Sequence, residues 1–114
     1  MTNPIGDIRA TLMRIFVDEA DRSGKQPLYA AVVEALRRNG LAGAIVLKGI
    51  EGFGAHREIH AARSVDFASN LPVVIEVAES EEKIRAMVPV LTALVAEGLI
   101  TLERVSMRFV GKAQ

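Results

Sequence analysis

An α+β fold, one antiparallel sheet with two helices on one of its faces, is predicted by three features of this 114-residue sequence. Two stretches carry apolar residues at helical spacing, and four others are rich in β-branched and aliphatic residues. These stretches alternate as strand, helix, strand, long connection, strand, helix, strand. Half of the residues are hydrophobic but only 4% are aromatic, so the core must be built from Val, Ile, Leu, Ala and Met. A chain of this length is expected to form a single domain, 1–114, with one core.

Met1 to Asp7 reads as a loosely held tail. Thr11 to Val17 (T-L-M-R-I-F-V) reads as the first strand, with Met13, Ile15 and Val17 on one face and Leu12, Arg14 and Phe16 on the other. Asp18 to Gln26 is a polar loop. Pro27 sits where a first helical residue belongs, since its missing N–H is an orphan there anyway. Leu28, Val32, Ala35 and Leu36 follow at helical spacing, and Asn39-Gly40 supplies the stop. Ala42 to Ile50 is the second strand, and Leu71 to Ala78 the third, with Pro72 tolerated near its start or at an edge. Ser80 is a good N-cap, and Glu81 and Glu82 place negative charge against the positive end of the helix dipole. Ile84, Met87, Val88, Leu91, Leu94 and Val95 form the apolar stripe of this second helix, which ends at Gly98. Pro89 falls inside it and is expected to bend it. Leu99 to Val110 is the fourth strand. This order is the split βαβ, or ferredoxin-like, arrangement βαββαβ.

Charge and composition exclude several function classes. Fourteen basic residues balance fourteen acidic ones, so bulk charge gives no reason to expect nucleic acid or an anionic membrane as partner. There is no Cys, hence no disulfide and no thiolate metal site. The start M-T-N-P-I-G-D-I-R has no apolar core of a signal sequence, and no apolar run is long enough to span a bilayer. The chain is therefore expected to be cytoplasmic and not membrane-embedded.

Two helices cover only one face of a four-stranded sheet. Phe16 and Leu12 nevertheless oppose Met13, Ile15 and Val17, and Val74 opposes Val73, Ile75 and Val77. A second face of that character would be a large exposed apolar patch, which soluble monomers avoid. A homo-oligomer is expected.

Function is expected in the stretch Lys48 to Asn70, and above all in a long loop at 52–70 between the second and third strands. Connections this long are uncommon in compact domains and are usually functional or disordered. Fixing such a loop costs about 1–2 kcal/mol per residue in backbone entropy, and Ile59, Val65 and Phe67 are few anchors against that. The tip is expected to be ordered by a ligand or partner; packing on a neighbouring subunit is the alternative. Gly49, Gly52 and Gly54, with Phe53 among them, suit a backbone anion nest, or else a bend at a strand end. Neither a P-loop nor the dinucleotide fingerprint is present. Lys48, Arg57 and Arg63 favour an anionic ligand.

His56 and His60 are four apart, a spacing that on a helix would place both imidazoles on one face, as in metal sites. H-R-E-I-H is not H-E-x-x-H, so the metalloprotease role fails. Ser64 and Ser69 lack a nucleophile elbow. Glu76 and the pair Asp18-Glu19 do not form a convincing acid–base pair, so no catalytic residue is assigned. Arg104 and Arg108 lie four apart on one side of the fourth strand, suited to a subunit cleft or to solvent.

The run P-L-Y-A-A-V-V-E-A-L-R-R-N-G-L-A-G-A-I-V-L-K-G-I-E-G-F-G, then I-H-A-A-R, then L-P-V-V-I-E-V, closely resembles the domain of unknown function 190 family, a branch of the PII-like superfamily. The resemblance spans the chain from first strand to last. It implies a trimer of ferredoxin-like subunits with an adenine nucleotide (AMP, ADP or ATP) in the clefts between them. It also implies that the central loop controls a partner, such as a membrane transporter or channel. The family pattern falls on Gly49, Glu51, Gly52, Phe53, Gly54 and His60, and, after the first strand, on Glu19, Arg22 and Lys25. Lys48, Arg57 and Arg104 complete the expected ligand-binding set. The modification loop and phosphate loop of nitrogen-regulatory PII proteins are missing, so uridylylation and 2-oxoglutarate sensing do not carry over. A non-enzymatic sensor with no obligatory cofactor is therefore expected. A metal-binding trimer or small hydrolase using His56 and His60 is the alternative.

Overall fold

Alternation in the first strand decides which way the sheet faces. The computed structural model describes residues 7–53, 60–61 and 70–111, with the backbone alone at 60 and 61. Its elements run β1 (Ile8–Asp18), β2 (Arg22–Ser23), β3 (Gln26–Pro27), α1 (Leu28–Arg38), β4 (Ile45–Lys48), β5 (Glu51–Gly52), β6 (His60–Ala61), β7 (Pro72–Glu79), α2 (Glu81–Leu94) and β8 (Leu99–Met107). β1 is central: β7 and β8 pair with it antiparallel on either side, and β4 pairs antiparallel with β7 at one edge. The sheet order β4-β7-β1-β8 is the ferredoxin-like arrangement expected from the order of the elements.

On one face Met13, Ile15 and Val17 of β1 join Val73, Ile75 and Val77 of β7. Leu28, Val32 and Leu36 of α1, and Ile84, Met87 and Leu91 of α2, close over them. The helical spacing of those residues is what aims both helices at the same surface. Buried Glu79 ties the layers together by accepting hydrogen bonds from the Ala42 amide at 3.1 Å and the Ser80 amide at 3.0 Å.

The other face carries no helix among the described residues. The register lines up Leu47, Val74, Phe16 and Leu99 as one row across all four strands. Beside it run Ile45, Glu76, Arg14 and Thr101. Arg14 donates to Glu76 at 2.8 Å and to Glu103 at 3.2 Å, which gives this otherwise largely apolar face a charged centre. Ile45, Leu47 and Leu99 are about half exposed or more, at 60%, 48% and 58%.

Several element ends differ from the sequence reading. Pro27 is the residue before α1 rather than its first: its ψ of 140° is extended, and it pairs with Arg22. The amide of Leu28 is satisfied by the Asp21 carbonyl at 2.7 Å. The second strand holds four residues instead of nine; the Ala42 amide goes to the side chain of Glu79 rather than to the backbone of β7. α2 stops at Leu94, where Val95 turns extended, and Pro89 lies within it. β8 ends at Met107. The Asn39-Gly40 stop and the Ser80 cap fall where expected, with Gly40 at φ 80° and the Ser80 hydroxyl accepting from the Lys83 amide.

Ile75 is fully buried at the middle of the core. Ile75→Ala is expected to lower unfolding stability by about 2–5 kcal/mol, whereas the exposed Arg85→Ala should stay within about 0.5 kcal/mol. Urea titrations at one fixed protein concentration measure both.

Candidate functional site

Three connections meet where β1 and β4 end and β7 and β8 begin: the turn after β1, the long connection from β4 to β7, and the turn from α2 to β8. The first of these grips the second at both of its ends. Glu19 forms an ion pair with Lys48 at 2.7 Å, where the connection leaves β4. At the return, the Glu19 amide donates to the Leu71 carbonyl at 2.8 Å and the Ala20 amide to Asn70 Oδ1 at 2.7 Å. The hydrogen bond from Lys48 holds the Glu19 carboxyl below its ordinary 4.5, against a smaller opposing effect of burial. The turn itself is braced by Asp21, which accepts from the Asp18 amide at 2.9 Å, and by Arg22, which donates to the Lys25 carbonyl.

Gly49 and Gly52 have a packing reason. A Cβ at Gly49 would stand 2.7 Å from Pro72 Cγ, and one at Gly52 3.0 Å from the same atom. The Gly49 amide donates to the Pro72 carbonyl at 2.7 Å. Neither glycine has the positive φ that lets successive N–H groups converge on an anion; among the described residues only Gly24, Gly40 and Gly111 do. Between nest and strand-end bend, the geometry of these two fits the bend. Gly98 plays a similar part across the sheet, since a Cβ there would meet the Phe16 carbonyl oxygen at 2.7 Å. The sequence offered only a helix stop at Gly98; its closeness to β1 depends on how α2 packs.

A cavity of about 390 Å³ opens between these connections, within the range of small-molecule sites. Phe16, Phe53, Leu99 and Pro72 give it apolar walls, and Asp18, Asp21 and Glu97 give it acidic ones. No Lys or Arg is among its lining residues. The apolar walls suit a flat ring, and the carboxylates suit hydroxyl or amino donors. A phosphate placed inside would face three acids, an unfavourable arrangement.

The expected site residues thus divide. Glu19, Arg22, Lys25, Lys48, Gly49, Glu51, Gly52 and Phe53 gather at this end. β5 and β6 pair Gly52 with His60 and Glu51 with Ala61, which brings the two halves of the family motif together at the root of the long connection. That ladder corrects the expectation of no strand between Gly52 and Asn70. Gly54, Arg57, Arg63 and His56 lie outside the described residues, as does the tip of the loop. His60 is in a strand, so the shared helical face that the His56–His60 metal reading needs does not exist at that residue. Among the described residues no group of three His, Asp or Glu side chains could hold a metal ion. Arg104 pairs with Thr11 near the other end of β1, away from the cavity. Arg108 lies past the end of β8 and pairs with Asp7.

Two outcomes follow from this geometry. Gly49→Ala is expected to destabilise by about 1–3 kcal/mol through overpacking, and Pro72→Ala in the same chain should recover part of the loss; a double-mutant cycle of urea midpoints measures it. The Glu19–Lys48 pair should contribute fully above pH 4.5 and lose its contribution as pH falls through the lower folded value of Glu19. The stability gap between the parent chain and Glu19→Gln should therefore close on acidification.

Solved structures share the fold. CPII, a nitrogen regulatory PII-like protein from Thiomonas intermedia K12 bound to ADP, AMP and bicarbonate, is 14% identical with a TM-score of 0.67, covering 88% of this chain and 89% of its own. A PII-like protein from Thermus thermophilus is 20% identical with a TM-score of 0.61, covering 88% and 90%. In sequence, a UPF0166 protein of Aquifex aeolicus (strain VF5) is 36% identical over 98 residues, 86% of this chain and 92% of that one. A UPF0166 protein of Methanocaldococcus jannaschii is 33% identical over 96 residues, 83% and 88%. The family model of DUF190, described as "Uncharacterized ACR", matches residues 10–107. With its PII-like fold and a match over nearly its whole length, the chain belongs to the DUF190 family.

Proposed function

We propose that the chain is a non-catalytic sensor whose subunits associate into a homotrimer and bind an adenine nucleotide at the cavity beneath the long connection. The observation that carries this reading is a shared part. Pro72 both lines the cavity and packs on Gly49 and Gly52, and Phe53 both lines the cavity and directly follows β5, where the arm begins. A ligand touching those two residues acts directly on the root of segment 52–70, which would then engage a partner such as a transporter or channel. Such control requires the ligand to favour one state of the root, and the partner then shifts ligand affinity by the same factor.

The walls favour one orientation of the nucleotide. Adenine stacks between the apolar groups, ribose hydroxyls or the amino group donate to Asp18, Asp21 or Glu97, and the phosphates extend toward Lys48. Lys48 is paired with Glu19, but so exposed an ion pair is weak and yields to a phosphate. ADP and AMP in the CPII structures support an adenine nucleotide as effector. The open row Leu47, Val74, Phe16 and Leu99 supports assembly through the bare sheet face.

Calorimetry with ADP and AMP tests the ligand. Binding is expected to weaken by about 5- to 150-fold in Phe53→Ala, the worth of one base–aromatic stack. Lys48→Ala should weaken ADP more than AMP. Absence of binding by either nucleotide would remove the reading. Sedimentation equilibrium tests the assembly: a trimer is expected for the parent chain and a smaller species for Phe16→Glu, while a monomeric parent would contradict it.

A further inference from the structure

At the pole opposite the nucleotide cavity, a second cavity of about 660 Å³ lies between the start of β1, the end of β8 and the start of α2. Arg9 and Arg104 line it. The register sets Arg9 opposite Ser106 and Thr11 opposite Arg104, all on the helix-covered face. Arg9 and Arg104 are thus diagonal neighbours across an antiparallel pair, with Cβ atoms about 7–8 Å apart, close enough for both guanidinium groups to reach one oxyanion.

Neither Arg9 nor Arg104 makes an ion pair or side-chain hydrogen bond among the described residues. Of the nearby acids, Glu79 binds the amides of Ala42 and Ser80 and Glu103 binds Arg14 on the opposite face of the sheet, while Glu81 lines the cavity in an exposed pair with Arg85 at 3.3 Å. A third group faces the same space. Thr11 is 7% exposed, and its hydroxyl has no hydrogen-bond partner among the described residues. Every fully enclosed side-chain polar atom described is bonded, so this hydroxyl keeps some exposure, and Thr11 lines this cavity and an adjoining one that Arg104 also lines. The start of the 14-residue helix α2 adds its positive end on the third side, where Ser80 and Glu81 line the cavity.

We propose that this cavity is a binding site for a small multiply charged oxyanion, a phosphate or pyrophosphate group, held by Arg9 and Arg104 with the Thr11 hydroxyl as a further donor. Two planar guanidinium groups supply paired N–H donors matched to phosphate oxygens, and the helix start supplies a favourable field. Glu81 also borders the site, but its pairing with Arg85 partly neutralises it. The site does not depend on the nucleotide cavity: it shares none of that cavity's lining residues.

Pyrophosphate titrated into the full chain by calorimetry tests it, with inorganic phosphate as the weaker comparison. Arg104→Gln and Arg9→Gln are each expected to weaken pyrophosphate about tenfold or more, and Thr11→Val to weaken it about two- to fivefold. The Arg9→Gln/Arg104→Gln double variant should keep parent-like ADP binding, which separates this site from the nucleotide cavity. Arg9 and Arg104 are exposed, so the Gln variants should keep the parent melting temperature. No pyrophosphate binding by the parent chain, or parent-like pyrophosphate binding or lost ADP binding in the Arg9→Gln/Arg104→Gln double variant, would each overturn the proposal.

Discussion

The pairing of β1 with strands on both sides is the constraint from which this subunit is built. Because β1 is central, its alternation is imposed on the whole sheet: Met13, Ile15 and Val17 commit one face to the two helices, and Leu12, Arg14 and Phe16 are left to the other. Two helices cannot cover both faces. The uncovered one keeps an apolar row from Leu47 to Leu99, interrupted by the Arg14–Glu76–Glu103 cluster. A charged cluster within an apolar face contributes little net stability, but it penalises any partner surface that leaves it unsatisfied.

The same strand organises function by placing connections at its two ends. Its C-terminal end gathers three of them around the acidic-walled cavity. Its N-terminal end lies beside the start of α2 and the end of β8, where two arginines have no acidic partner among the described residues. In a chain with equal numbers of acidic and basic residues, this separation is invisible to net charge. Asp18, Asp21 and Glu97 line one pole, and Arg9 and Arg104, with Glu81 beside them, line the other.

Much of the architecture was legible in the sequence, because local chemistry determines it. The Ser80 cap, the Asn39-Gly40 stop and the apolar stripes of both helices depend on residues within one or two turns. What was not legible depends on contacts between distant residues. The amide of Ala42, expected in the second strand, is taken by the side chain of Glu79, 37 residues later. The role of Gly49 and Gly52 depends on Pro72, so the local pattern G-I-E-G left nest and bend undecided. β6 has only two residues and no pattern of its own; only its pairing with β5 marks it as strand. The cavity lining divides the same way: Phe53 was singled out from its own stretch, whereas Gly98 and the acidic wall of Asp18, Asp21 and Glu97 required the fold. Arg104 was assigned to the nucleotide group by its charge, yet its register with Thr11 sets it at the other pole.

The account depends on mechanical continuity between the cavity and the root of the arm through Pro72 and Phe53. Amide hydrogen exchange at Gly49, Gly52 and Phe53, measured with and without saturating ADP, tests that continuity most directly. Slower exchange at these amides in the presence of ADP is the predicted result, because ligand contact with Pro72 and Phe53 steadies the backbone packed on them. Nucleotide bound to saturation with exchange at all three unchanged would contradict it.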